Sequence, residues 1–164
     1  MKPMVATLLA AFALGCGGGR PAPSPAPVAA GRDPAVQRID FEVLRRTGAF
    51  TAQVRISGVV RNVGALGFRS RPDQQNIQLY ENQRLVQTAR FQDLAPGEEV
   101  RVEYVRDWYA ASPGEGEFPP TYHVLIVYDP DIFLDSNAEN DDADLNDNRR
   151  QREGSELNTL VRGG

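Results

Sequence analysis

The residues best suited to chemistry lie in one acidic segment, residues 129–148, which carries eight aspartate or glutamate residues and no lysine or arginine. Oxygen-rich side chains of this kind are the ligands that a hard cation such as calcium selects. This segment, together with Glu153 just after it, supplies seven candidate calcium ligands: Asp129, Asp131, Asp135, Asp142, Asp144, Asn146 and Glu153. Calcium is the one cofactor that the sequence suggests, and none is required by any motif.

Part of this segment fits the spacing of an EF-hand loop. Asp142, Asp144, Asn146 and Glu153 fall at loop positions 1, 3, 5 and 12. Position 6, where the sharp turn calls for glycine, is Asp147. Two alternatives therefore stay open: a calcium site of another geometry, or aspartate, serine and asparagine side chains that make turn hydrogen bonds in a solvated loop.

A second candidate site is aromatic. Trp108, Tyr109 and Phe118 lie on a long connection between two predicted strands, with a proline pair at residues 119–120. Such a connection could display an apolar surface for a protein or glycan partner. The alternative is that Trp108 and Phe118 fold back and close one end of the domain.

Catalysis finds no support in the sequence. It contains no GxSxG, HExxH, CxxC or P-loop motif. The sole histidine, His123, stands among apolar residues inside a predicted strand, which is typical of a structural residue. We therefore expect a protein that is not an enzyme.

The amino-acid composition excludes some classes of binding partner. The formal net charge is −4, and the 18 basic residues are scattered along the chain. A nucleic-acid-binding surface needs clustered basic residues, so no nucleic-acid partner is expected. The single cysteine, Cys16, excludes an intramolecular disulfide and a multi-cysteine metal site.

The N-terminus indicates export. Residues 1–15 carry Lys2 and then a largely apolar run at 5–14, which suits a signal peptide and is too short to span a bilayer. The end of this segment, ALGC at 13–16, resembles the lipobox of bacterial lipoproteins. That resemblance implies cleavage before Cys16 and acylation of Cys16. The expected location is the bacterial cell envelope, with the outer membrane favoured because Gly17 follows the cysteine.

Residues 16–36 then read as a flexible tether. Three glycines follow the cysteine, and alternating prolines at Pro21, Pro23, Pro25 and Pro27 favour extended polyproline II. The folded domain is predicted over 37–163.

The sequence pattern of the domain predicts an all-β fold. Short apolar alternations separated by turn signals indicate strands near 38–46, 50–63, 76–80, 84–91, 100–104, 122–128 and 158–162. Residues 122–128 are nearly all apolar, which predicts a strand buried on both faces. Gly58 predicts a bulge or bend, and residues 95–98 predict a turn. No helix is expected. The predicted fold is an antiparallel β-sandwich of about seven strands.

Four motifs in order carry a resemblance to a known family: RNVG at 61–64, LAPGE at 94–98, DPD at 129–131 and DSNAEN at 135–140. Together they resemble CARDB, a bacterial surface module, over about residues 50–142. The resemblance implies an immunoglobulin-like sandwich related to fibronectin type III, a role in cell adhesion, and no catalytic residues.

Three functional hypotheses follow. The first is a lipid-anchored, non-catalytic envelope protein whose domain binds a partner or has a structural role. The second is a calcium-dependent module for a ligand such as a glycan, with the metal in the acidic segment. The third is an assembly subunit that pairs through an edge strand of the sandwich.

Overall fold

The computed structural model describes residues 30–163. In that part of the chain, two antiparallel sheets face each other. The strands are β1 (Pro34–Arg46), β2 (Thr51–Asn62), β3 (Phe68–Arg69), β4 (Gln75–Glu81), β5 (Arg84–Arg90), β6 (Asp93–Leu94), β7 (Glu99–Tyr109), β8 (Thr121–Tyr128) and β9 (Arg149–Glu153). One α-helix, α1 (Ser155–Arg162), and two short helical turns, Pro113–Glu117 and Ile132–Leu134, complete the elements.

The seven longer strands divide between the two sheets. One sheet has the order β1-β2-β7 and the other has the order β5-β4-β8-β9, while β3 and β6 form a separate short pair. The chain crosses between the sheets after β2, β5 and β7, as it does in immunoglobulin-like sandwiches. The predicted all-β antiparallel sandwich of about seven strands is therefore confirmed.

Alternation of side chains builds the core. On β2, Ala52, Val54 and Ile56 are buried between the sheets. On β8, Tyr122 and Val124 are fully buried, but the side chains that alternate with them along the strand are only half-buried. The predicted strand at 122–128 is thus present and has β4 and β9 on either side. Its expected burial on both faces is wrong, because the outer face of this sheet has no layer packed over it.

Gly58 has a different role from the predicted one. The pairing of β2 with its neighbours shows irregularities only on β1, between Val36 and Arg38 and between Val43 and Arg45, and none at Gly58. A Cβ atom built on Gly58 would lie 2.6 Å from Cγ2 of Val124 in the facing sheet. The glycine lets the two sheets approach closely.

The predicted turn at residues 95–98 is confirmed. Gly97 has a φ of 78°, and the Ala95 amide donates to the Glu98 carboxylate at 2.8 Å. The β4–β5 hairpin turns at Asn82, whose φ is 54°. Asparagine tolerates this left-handed conformation better than most residues.

The predicted secondary structure at the C-terminus is wrong. Residues 158–162, expected to form a closing strand, belong to α1, which buries Leu157, Asn158 and Val161 on one face. The closing strand is instead β9, within a segment with no apolar residue.

The domain also starts earlier than predicted. Residues 34–36, assigned to the tether, are the first residues of β1, and Ala35 and Val36 are fully buried. The predicted signal peptide, Cys16 and the tether up to residue 29 lie outside the described residues. Among residues 30–163, no helix is long and apolar enough to cross a membrane.

Candidate functional site: an acid cluster where the first strand begins

The sandwich has two ends, which differ in their charged groups. The entry end is where β1 begins, at residues 30–36, together with the acidic segment 129–148. The far end is where β1 finishes and where β4, β7 and α1 finish too. At the entry end, Arg32 pairs with Asp142 in a parallel bridge, and the Ala143 amide donates to the Arg32 carbonyl at 2.8 Å. The Val36 amide donates to the Asp147 carbonyl at 3.0 Å. Backbone contacts thus place Asp33 beside the acidic segment.

Four carboxylates come together here, and we name them the acid cluster: Asp33, Asp142, Asp144 and Asp147. Burial raises the pKa of Asp33, and the negative charges of Asp142 and Asp144 raise it further. The pKa of Asp147 rises to about 6, through burial first and then through the other three carboxylates. Like charges in a poorly solvated place disfavour ionisation, which explains both directions.

Asp142 is partly compensated by hydrogen bonds. Its Oδ2 accepts from the Tyr128 hydroxyl at 2.8 Å and from the Asn148 amide nitrogen at 2.6 Å. Burial nevertheless raises the pKa of Asp142, although the hydrogen bonds from Asn148 and Tyr128 act against it.

Two acidic residues of the segment that lie outside the acid cluster make turn hydrogen bonds. Asp129 and Asp135 each accept from the backbone amide two residues later, as do Asp142 and Asp144. The second oxygen of Asp135 accepts from Gln74 at 2.7 Å and from Asn140 at 2.9 Å, and these bonds lower the pKa of Asp135. The alternative of turn hydrogen bonds therefore describes 129–140.

The EF-hand spacing does not give EF-hand geometry. Glu153 lies on β9, where it pairs with Thr121 and accepts from the Thr121 hydroxyl at 3.0 Å. Thr121 and Tyr128 stand at opposite ends of β8, roughly 23 Å apart at strand spacing. Since Tyr128 contacts Asp142, Glu153 lies far from positions 1 and 3 of the proposed loop. In residues 30–163, no three histidine, cysteine, aspartate or glutamate side chains are gathered so that they could already hold a metal ion.

The far end also holds a buried carboxylate, Glu81, which is 8% exposed. Glu81 accepts from Arg106, from Arg84 at 2.5 Å and from the Tyr122 hydroxyl at 3.0 Å. Arg106 also pairs with Glu115. Burial alone would raise the pKa of Glu81, but the hydrogen bonds from Arg84 and Arg106 lower it overall.

The three aromatic candidates separate in the structure. Trp108 is part of β7, is 2% exposed, and donates from its indole nitrogen to the Asn158 side chain at 2.9 Å. It belongs to the core and not to a contact surface. Tyr109 is half-exposed and Phe118 is 76% exposed, so these two do reach solvent. Phe50 is at the same end of the sandwich, since the Ala110 amide donates to the Phe50 carbonyl at 2.8 Å, and the Phe50 side chain is half-exposed.

His123 lies on the outer face of β8, where a groove of about 760 Å³ has Tyr80, Asn82 and Gln151 among its lining residues. The residue that sequence reasoning missed is Asp33, because it fell in the predicted tether. An Asp-Pro pair directly before an apolar alternation was the available signal, since proline restricts the preceding residue to extended backbone.

No protein-family model matches the sequence, and no curated protein matches it. One solved structure is similar: that of YcdA, a candidate lipoprotein of Bacillus subtilis, with 10% identity and a TM-score of 0.37 over 84% of this chain. The match covers 41% of the YcdA chain, so the present chain spans about two fifths of its length. At this TM-score the likeness is a distant one in fold and supports no functional statement. The resemblance to CARDB stays a prediction.

Proposed function

We propose that this chain is a non-catalytic lipoprotein of the bacterial cell envelope, in which an acylated Cys16 anchors the sandwich and the sandwich serves as a binding or structural module. The observation that carries the proposal is the position of the single cysteine, directly after the apolar run at 5–14. Two or three acyl chains on one cysteine anchor a protein stably, whereas one chain binds only marginally.

The position of the folded domain fits this anchoring. Arg32 makes the first backbone contacts with the acidic segment, and it lies only sixteen positions after Cys16. A proline-rich spacer of that length extends about 50 Å at about 3.1 Å per residue. The entry end is then the end closer to the membrane, and the far end points away from it.

The far end supports a binding role. Phe50, Tyr109 and Phe118 are exposed there by about half or more of their surface. The segment that carries Phe118 is fixed to the domain, because the Asn158 side chain donates to the Glu115 carbonyl at 2.7 Å and Arg162 bonds to the Ala110 carbonyl. A backbone segment that is already ordered loses little entropy on binding, which favours a contact surface here.

Anchoring is tested by metabolic labelling with an azido-palmitate, followed by membrane fractionation. The wild type should take the label and sediment with membranes, and Cys16→Ser should do neither. Wild-type protein that carries no label would remove the lipoprotein proposal.

The contact surface is tested by photo-crosslinking in cells, with a photoreactive residue in place of Phe118. The matched control replaces Leu134, which is 82% exposed at the entry end. A crosslinked product specific to position 118 supports the far end as the binding surface. Equal products at both positions, or none at 118, would contradict it.

A second candidate function, an assembly subunit, is favoured by one observation. β5 is an edge strand of seven residues whose side chains are largely exposed, including Leu85 at 48%. Unpaired edges of this kind recruit strands from other chains. Analytical ultracentrifugation over a wide concentration range checks it, and a strictly monomeric protein would count against self-assembly through β5.

A further inference from the structure

We propose that the acid cluster, Asp33, Asp142, Asp144 and Asp147, together with the side-chain oxygen of Asn148, is a calcium site at the entry end of the sandwich. This site differs from the ligand set expected from the sequence. It includes Asp33, from the opposite end of the chain, and it excludes Glu153 and the turn-forming residues before 141.

The first step is the state of Asp33. Asp33 is 3% exposed, and its Oδ1 is buried without a hydrogen-bond partner. A buried carboxylate is costly unless it is paired, hydrogen-bonded or bound to a metal. Asp33 is not part of the acidic segment, and yet its pKa is raised by burial and by the charges of Asp142 and Asp144. An unpaired buried oxygen thus lies on the residue directly before β1, which backbone contacts hold beside the acidic segment.

The second step is that more acceptors at the same place lack donors. Oδ1 of Asp147 and Oδ1 of Asn148 are also buried without hydrogen-bond partners. Asn148 is 7% exposed, and its nitrogen is held by Asp142 at 2.6 Å, so its oxygen is the free end of the amide. Buried oxygens without donors, from three residues of one cluster, are the arrangement that a cation satisfies.

The third step is the lack of a protein cation. All ion pairs found among residues 30–163 use carboxylates outside the acid cluster. Two arginines near the acid cluster, Arg32 and Arg150, donate to backbone carbonyls and not to its carboxylates. Arg32 donates to the Gly67 carbonyl at 2.9 Å, and Arg150 donates to the Val36 carbonyl at 3.1 Å.

The ligand chemistry selects the metal. All the donors are oxygens, from carboxylates and one amide, which suits a hard cation and disfavours zinc or copper. Asp144 is exposed, and Asn146 donates to its Oδ1, which leaves the Oδ2 of Asp144 to face a metal ion. Calcium accepts six to eight oxygens in flexible geometry, whereas magnesium demands a near-ideal octahedron. Among the described residues these carboxylates are not close enough to hold an ion as they stand, so calcium binding has to draw them together.

The site has a structural consequence. It joins the residues just before β1 to the segment after β8, so bound calcium would hold the start of the domain rigidly. If the chain is anchored as proposed, calcium fixes the direction in which the sandwich leaves its tether. Calcium binding itself does not depend on acylation of Cys16, so either proposal can fail while the other holds.

The test uses the full chain, purified in detergent and freed of divalent ions, with calcium chloride as the probe. Thermal unfolding is measured with and without 5 mM calcium for the wild type, Asp33→Asn and Asp131→Asn. Asp131 is the matched control, since it is exposed in the same segment and its side chain caps nothing. We expect a rise in Tm of roughly 5–10 °C in the wild type and Asp131→Asn, and none in Asp33→Asn.

Hydrogen exchange gives an independent readout. The Ala143 and Val36 amides, which donate to the Arg32 and Asp147 carbonyls, should exchange at least tenfold more slowly with calcium in the wild type and in Asp131→Asn, but not in Asp33→Asn. No wild-type Tm shift at 5 mM calcium would overturn the proposal. So would an equal shift in Asp33→Asn, which would place the metal elsewhere, or an equal shift with potassium chloride at matched ionic strength, which would indicate charge screening.

Discussion

The two ends of the sandwich bury acidic residues in opposite ways. At the far end, Glu81 is surrounded by donors, with Arg84, Arg106 and the Tyr122 hydroxyl all bonded to its carboxylate. At the entry end, Asp33 is at least as deeply buried and its Oδ1 has no donor, while the charges of Asp142 and Asp144 raise its pKa further. A buried carboxylate whose oxygens all have hydrogen-bond donors stabilises the fold. A buried carboxylate with an unpaired oxygen, beside three other carboxylates, indicates a binding site for a cation.

The largest expected effect comes from removing the satisfied charge. Glu81→Ala should lower the free energy of unfolding by about 3 kcal/mol, because it leaves Arg106 and the Tyr122 hydroxyl without their shared acceptor. Chemical denaturation measures this.

The control for that loss is Glu42→Ala, which removes an exposed partner of Arg55 and should cost about 0.5 kcal/mol. If the two variants lost equal stability, Glu81 would be no more than a surface ion pair. The contrast between the two ends would then disappear.

Much of the far end could be predicted from the sequence, because its strands alternate locally. Ala52, Val54 and Ile56 indicated the far-end half of β2 without knowledge of distant residues. The proline-glycine pair indicated the 95–98 turn in the same local way, although that turn lies at the entry end, where the Gly97 amide donates to the Asn62 carbonyl. The helix α1 was misread because it has only eight residues, and Leu160 beside Val161 resembles a strand. The i, i+4 spacing of Leu157 and Val161 was its true signal.

The entry end could not be predicted in the same way, because its contacts join residues about 110 positions apart. Arg32 meets Asp142 through the tertiary fold and not through any local pattern. β9 was also hidden, since an edge strand can be wholly polar when its side chains reach across to another strand. Arg152 does this, bonding to the Ile39 carbonyl at 2.5 Å and covering the Phe41 ring.

The next effect has the opposite sign. Asp33→Asn should raise the free energy of unfolding by about 1 kcal/mol in the absence of divalent ions, because it removes a buried, unpaired charge from a cluster of like charges. Asp131→Asn, the matched change in an exposed residue, should stay within about 0.5 kcal/mol of the wild type. A destabilised Asp33→Asn would mean that the carboxylate has a favourable partner, and the two ends would then be alike.

The pH dependence of stability separates the ends further. Since hydrogen bonds hold the pKa of Glu81 below its ordinary value of 4.5 in the folded state, its contribution is complete above 4.5 and is lost as pH falls through the lower folded value. The groups facing it are Arg84 on β5, Arg106 on β7, Tyr122 on β8, and Glu115 beyond Arg106.

We therefore expect the wild type to lose more stability than Glu81→Gln between about pH 5 and about pH 3. Urea denaturation at a series of pH values measures the difference. Parallel curves for the two proteins would show that Glu81 titrates as it does in the unfolded chain, and would contradict its satisfied environment.

The smallest expected effect concerns the exposed apolar residues at each end. Phe118→Ser at the far end and Leu134→Ser at the entry end replace side chains that are 76% and 82% exposed, so each should change the free energy of unfolding by less than about 0.5 kcal/mol. A binding surface must be present without being needed for folding, and Phe118 meets that condition only if its loss leaves stability intact. A large loss in Phe118→Ser would assign it to packing, and the far end would then be closed by its aromatic residues instead of displaying them.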